Sequence, residues 1–131
     1  MSEASFPIKI GKLTQAIIVT LGLEMEPGQE ILLGESNILH MQTRHPGDFA
    51  CYGSFIPDIL ASPDYVGLNP KDTSIEYVKE FWEQDEYVKV AVRVSLSGCL
   101  FVRSLYVLNK HKVKIFIRNG TLKKPLTKPP E

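Results

Sequence analysis

Two runs of alternating apolar and β-branched residues, 87–96 and 100–108, meet at Ser97-Gly98, and this pairing constrains the fold more than any other stretch of the chain. Glycine supplies the positive φ that tight hairpin turns demand, so a Ser-Gly connection between such runs predicts a β-hairpin. With Ser97 and Gly98 as a two-residue turn, Leu96 faces Cys99 and the residue numbers of every cross-strand pair sum to 195. Arg93 then stands opposite Val102, Ala91 opposite Ser104 and Lys89 opposite Tyr106, so Lys89, Arg93, Ser104 and Tyr106 share one face. Val90, Val92, Val94, Phe101, Leu105 and Val107 share the other, with Arg103 the one charge among them. One face packs; the other offers polar groups. A three-residue loop would shift the pairing by one and break this sorting.

The chain has 131 residues, 44% of them hydrophobic, which is enough for one domain with a real core and too apolar for disorder. A single domain over 1–124 and a flexible tail over 125–131 are expected. No apolar run reaches the roughly 18 residues of a membrane span, and residues 1–10 lack the charged-then-apolar layout of a secretory signal. A cytoplasmic protein with no membrane partner is the expectation. Cys51 and Cys99 lack metal-ligand spacing and lie in apolar surroundings, so buried free thiols are expected, with no disulfide and no zinc.

Formal net charge is zero, but residues 1–86 hold 14 acids and 5 bases while residues 87–131 hold 10 bases and 1 acid. The part from the hairpin onward is therefore +9 (10 − 1), which either attracts phosphates or pairs with the acidic first part.

Ahead of the hairpin, residues 8–10 read as an edge strand, 13–23 as an amphipathic helix and 30–33 as a short strand. Ser36 is the expected cap of a helix over 37–45, which must end near Pro46 because the residue before a proline is pushed out of the α region. His40 and Arg44 share a face of it, and His45 is turned by about 140° from His40 at about 100° per residue. Asp48 is the expected cap of a helical turn through Tyr52, and Ser54 of a second helix over 55–61. Residues 65–68 and 74–82 read as strands, and 113–118 is open between strand and helix. Residues 122–131, with three prolines and three lysines, read as a tail.

The order of four pieces is distinctive: His40 through His45-Pro46, then 56–66 with Pro63-Asp64-Tyr65, then Val90 to Arg93, then Val102 to Tyr106. Together they resemble the phage-type barnase-EndoU-colicin-RelE-like nuclease domains over roughly residues 10–124. The resemblance implies an α+β fold, with N-terminal helices packed on an antiparallel sheet, and metal-independent RNA cleavage without a cofactor.

Such cleavage needs a base for the 2′-hydroxyl proton, an acid for the leaving 5′-oxygen and a cation for the charge on phosphorus. Histidine suits either proton transfer because its pKa lies near working pH, and arginine suits the third role through its planar, two-pronged guanidinium. By resemblance, the histidine segment maps onto His40 and His45, and the strand arginine and Ser/Thr-x-Tyr pattern map onto Arg93, Ser104 and Tyr106. Lys89, Arg103 and His111 are candidate substrate contacts, although Arg103 on the packed face is expected to pair with an acid. The hairpin's polar face carries no carboxylate, whereas in barnase a glutamate is the base, so here a histidine has to replace it. RNA is the implied substrate, and an inhibitor or antitoxin protein is the other implied partner. The competing reading is an inactive RNA- or protein-binding module of the same fold. A metal hydrolase ranks low, because no His, Asp, Glu or Cys set has ligand spacing.

Overall fold

The computed structural model describes residues 6–95 and 97–126. Strands β1 (Ile8–Lys12), β2 (Glu30–Leu33), β3 (Tyr65–Leu68), β4 (Ile75–Phe81), β5 (Glu86–Val94) and β6 (Leu100–Leu108) form one six-stranded sheet. Its order is β1-β2-β6-β5-β4-β3, with every neighbouring pair antiparallel except β2 with β6. Helices α1 (Gln15–Leu21), α2 (Glu35–Arg44), α3 (Pro46–Tyr52) and α4 (Ile56–Ala61) come before the hairpin and α5 (Lys110–Arg118) after it. This is the α+β arrangement of helices on a mostly antiparallel sheet that the sequence implied.

The main core lies on one face of the sheet, where Ile75, Tyr77, Val88, Val90, Val92, Val102 and Leu105 pack against Ile17 and Ile18 of α1 and Ile56, Ile59 and Leu60 of α4. On the other face α5 covers one part of the sheet, its Val113 packed with Val78, Leu108 and Leu122. Residues 113–118 are therefore helical, and the decisive signal is Asn109, whose side chain accepts from the N–H groups of His111 (2.9 Å) and Lys112 (3.2 Å) as an N-cap. The remainder of that second face is open.

The hairpin differs from its expected register in one half. Ser95 N–H bonds to the Cys99 carbonyl at 2.8 Å, so three residues separate the arms, and Gly98 takes the positive φ of +88°. The expected pairing of Leu96 with Cys99 falls on Leu96, which lies outside the described residues. Near the loop Arg93 pairs with Phe101 and Val92 with Val102, one residue off the expected register. Between Ala91 and Val92 the pairing jumps from Ser104 to Val102, leaving Arg103 as an extra residue in β6. This bulge cancels the longer loop, so Ala91–Ser104 and Lys89–Tyr106 pair as expected.

Smaller expectations are corrected too. α2 is capped at Gly34 rather than Ser36, the Gly34 N–H donating to Asn37 Oδ1 at 2.8 Å. Asp48 caps nothing and lies in the first turn of α3, while Ser54 falls in a 3-10 turn (Gly53–Phe55) that leads into α4. Both cysteines are exposed free thiols rather than buried ones. Residues 122 and 123, read as the start of a tail, are instead packed into the fold: Leu122 is buried and Lys123 pairs with Val66 through backbone bonds of 2.7 and 2.8 Å. Of the tail expected at 125–131, residues 127–131 lie outside the described residues.

This returning segment explains Gly67 of β3. A Cβ there would meet the Thr121 carbonyl oxygen at 2.5 Å, a backbone atom that cannot swing aside. Gly67→Ala is expected to cost about 1–3 kcal/mol, read as a lowered urea midpoint with an unchanged slope.

Candidate active site

Proline places the first functional group. Pro46 drives His45 out of the helix to φ −141°, ψ 68°, so α2 and α3 meet at a corner with His45 at its apex. β2 pairs with β6 at Leu100 and Phe101, and past that point the corner packs along the edge of β6. Two contacts dock it: the Val107 N–H donates to Asp48 at 3.0 Å, and the His45 ring stacks on Tyr106 with centroids 4.9 Å apart and planes at 26°. Asp48 thus satisfies an edge N–H of the sheet.

Tyr106 opens a chain of contacts across the uncovered face. Lys89, its cross-strand partner, sets Nζ 4.7 Å from the Tyr106 ring centroid and 3.0 Å from Glu76 Oε2. The same Glu76 oxygen accepts from Asn69 Nδ2 at 3.1 Å. Glu76 is the carboxylate that the hairpin lacked. It comes from β4, opposite Ala91, so it shares the face of Lys89. With side chains only 12% and 11% exposed, Lys89 and Glu76 form a buried ion pair. Burial opposes the charge on Lys89, but the Tyr106 hydroxyl and the Glu76 carboxylate outweigh it and hold the lysine pKa above its ordinary value. Lys89 therefore stands as a fixed cation at neutral pH and not as a base.

That shift has a signed consequence. A lysine whose pKa is raised by folding contributes stability that is complete below its unfolded value and lost as pH rises through the folded one. Against the Glu76→Leu/Lys89→Met double variant, the wild type is expected to keep a constant difference in stability up to pH ~9 and to lose ground above ~10. Thermal melts across that range read it.

Farther along the face, Ala91 is buried to 6% exposure although its methyl group points toward the open side, between Lys89 and Arg93 on β5 and opposite Ser104. Glu76 on β4 and Ser104 on β6 flank it as its cross-strand partners. Beyond it, Asn37, Arg93, Ser95, Phe101 and Arg103 line a notch of about 220 Å³. The bulge turns Arg103 to the Arg93 side, against its expected place on the packed face, and the same shift moves Phe101 outward and Val102 into the core. Arg103 does not pair with an acid: among the described residues neither arginine forms an ion pair. Asp72 is nonetheless near enough to Arg93 to be affected by it. The Ser74 N–H first, and the Arg93 charge with it, hold the Asp72 carboxyl below its usual range against the effect of burial.

The structure thus brings together His45, Lys89, Arg93, Ser104 and Tyr106, with Arg103 beside Arg93. His40 is exposed on α2, and no contact of the described residues joins it to this face. His111 is exposed at the start of α5, and no contact of the described residues joins it to this face. Glu76, Asn69, Phe101 and Asn37 were missed by reading the sequence. For Glu76 there was a signal, an acid flanked by Ile75 and Tyr77 inside a β-forming run. Chemically, the face offers an imidazole, a fixed ammonium, two guanidiniums and two hydroxyls along one side of the hairpin. Among the described residues no group of three or more His, Cys, Asp or Glu is placed to hold a metal ion, and no helix is long and apolar enough to cross a membrane.

No curated protein and no solved structure matches the chain. The model of one family, described as phage-Barnase-EndoU-ColicinE5/D-RelE like nuclease3, matches residues 8–114. That span takes in most of the chain and every residue of the open face, and the protein belongs to this nuclease-like family.

Proposed function

We propose that the protein is a metal-independent RNA endonuclease. Membership of a nuclease-like family implies a nucleic-acid substrate. The observation that carries the finer reading is the convergence of His45, Tyr106, Lys89, Ser104 and Arg93 on one open face. In this reading the scissile phosphate sits over Ala91, between the Lys89 ammonium and the Arg93 guanidinium, which offset the charge gained as the 2′-oxygen attacks phosphorus. The 2′-hydroxyl proton passes to one histidine, the P–O5′ bond breaks, and a second proton reaches the leaving 5′-oxygen. The products are a 2′,3′-cyclic phosphate and a free 5′-hydroxyl. His45, its ring fixed against Tyr106, is one proton-transfer group, and His40 on the same helix supplies the other. Ser104 and Tyr106 donate hydroxyls to the non-bridging oxygens. Side chains thereby fill every role the reaction needs, which supports a route without a metal. The basic face is also the surface that an acidic inhibitor or antitoxin protein would cover.

The test is incubation of mixed-sequence RNA with the purified protein in chelator, beside Arg93→Ala and His40→Ala. Cyclic-phosphate ends are expected from the wild type, with a loss of at least tenfold in each variant. Intact RNA that is nevertheless bound by the wild type would point instead to the binding module.

A further inference from the structure

We infer that the notch lined by Arg93, Arg103, Phe101 and Asn37 holds a flipped-out nucleotide next to the scissile one, which makes unpaired RNA the substrate class; this rests on the ribonuclease reading and deepens it. The nucleotide's phosphate lies between the two guanidiniums and its base lies on the Phe101 ring.

Size comes first. At about 220 Å³ the notch falls below the roughly 300 Å³ at which clefts for drug-sized ligands begin. It takes a flat ring and a phosphate, not a folded segment of protein. Its lining matches those two groups. Arg93 and Arg103 present planar forks suited to phosphate oxygens, and neither is held by an ion pair among the described residues. Phe101 is half-buried, which leaves part of its ring for stacking. Asn37 uses Oδ1 to accept from the Gly34 N–H at 2.8 Å, so its amide N–H groups remain as donors.

The bulge is the second observation. Without the extra residue in β6, strand alternation would turn Arg103 toward the core; with it, Arg103 stands beside Arg93. Bulges near functional sites re-aim side chains in this way. Here the result is a pair of like charges side by side, an arrangement that a phosphate neutralises. Arg93, at the edge of the notch, lies two residues along β5 from Ala91, about 7 Å at ~3.3 Å per residue, which places the notch beside the cleavage position rather than on it. A base inside a duplex has both faces covered by its neighbours, so Phe101 can stack on it only when it is unpaired.

The test measures binding apart from cleavage. A short 2′-fluoro oligoribonucleotide has no 2′-hydroxyl to attack and is titrated by fluorescence anisotropy, single-stranded or annealed to its complement. The wild type is expected to prefer the single strand by at least about tenfold, and Phe101→Ala to lose about tenfold on it, while Phe101→Tyr, which keeps the ring, binds like the wild type. Arg103→Ala should weaken binding and reduce the salt dependence by about one phosphate contact. Equal binding of single strand and duplex, no binding at all, or identical behaviour of the Ala and Tyr variants overturns the inference. Unmodified RNA is scored separately: the expected binding pattern without cleavage keeps the notch and removes the ribonuclease reading, and cleavage without the pattern does the reverse.

Discussion

His45→Ala is expected to cleave RNA about 10²–10⁴-fold more slowly than the wild type, the usual loss when a positioned proton-transfer group is removed. The variant should remain folded, because His45 is half-exposed and the corner keeps its second anchor, the bond from the Val107 N–H to Asp48. The ring also stacks on Tyr106, so truncation alone does not separate proton transfer from packing. His45→Phe does: it preserves an aromatic ring against Tyr106 and removes the titratable nitrogens. A loss in His45→Phe as large as in His45→Ala assigns the effect to proton transfer. Recovery of most of the cleavage in His45→Phe would make His45 a support for Tyr106 and move the chemistry elsewhere on the face. Initial rates on a fluorescent RNA in chelator give the comparison.

Val92→Asp is expected to unfold the domain, whereas its neighbour Arg93→Ala should stay within about 0.5 kcal/mol of the wild type. Val92 is fully buried and packs in the main core opposite Val102, just past the bulge. A carboxylate there has no partner, and an uncompensated buried charge costs about 3–5 kcal/mol on top of the lost apolar contacts. That is a large share of the roughly 5–15 kcal/mol available to a domain. Arg93 is exposed on the opposite face, so removing it takes away no packing of that kind. Circular dichroism and urea titration of the two variants read the difference, and equal losses would mean that the faces of β5 are misassigned.

The sequence carried the fold where a single residue type decides the backbone. Pro46 ends α2 in the sequence and in the structure, and it is also what aims His45, so the most local signal in the chain placed a site residue. The inner half of the hairpin, with Lys89 opposite Tyr106, was legible from alternation alone. The outer half was not. Gly98 satisfies two- and three-residue loops equally well, and the bulge that compensates leaves no mark in a pattern where Arg103 already alternates with apolar neighbours. Glu76 escaped for a different reason: it reaches the face through the pairing of β4 with β5, and the residues of a hairpin do not specify what the next strand contributes. The thiols were misjudged because apolar neighbours in sequence do not fix a residue's own exposure: Tyr52 and Leu100 are buried, whereas Cys51 and Cys99 beside them are exposed.

The hairpin also carries a lesson about insertions and deletions. One additional residue at the loop and one at Arg103 cancel, so the two arms are displaced only between the loop and the Ala91–Ser104 pair. Loop length is thereby decoupled from everything on the far side of that pair. A chain with a shorter loop and no bulge would still align Lys89 with Tyr106, yet would set a different side chain opposite Arg93 and return position 103 to the interior. The hairpin has a constant half and an interchangeable half, and the same number of residues accommodates either arrangement of the second half while the first stays in register.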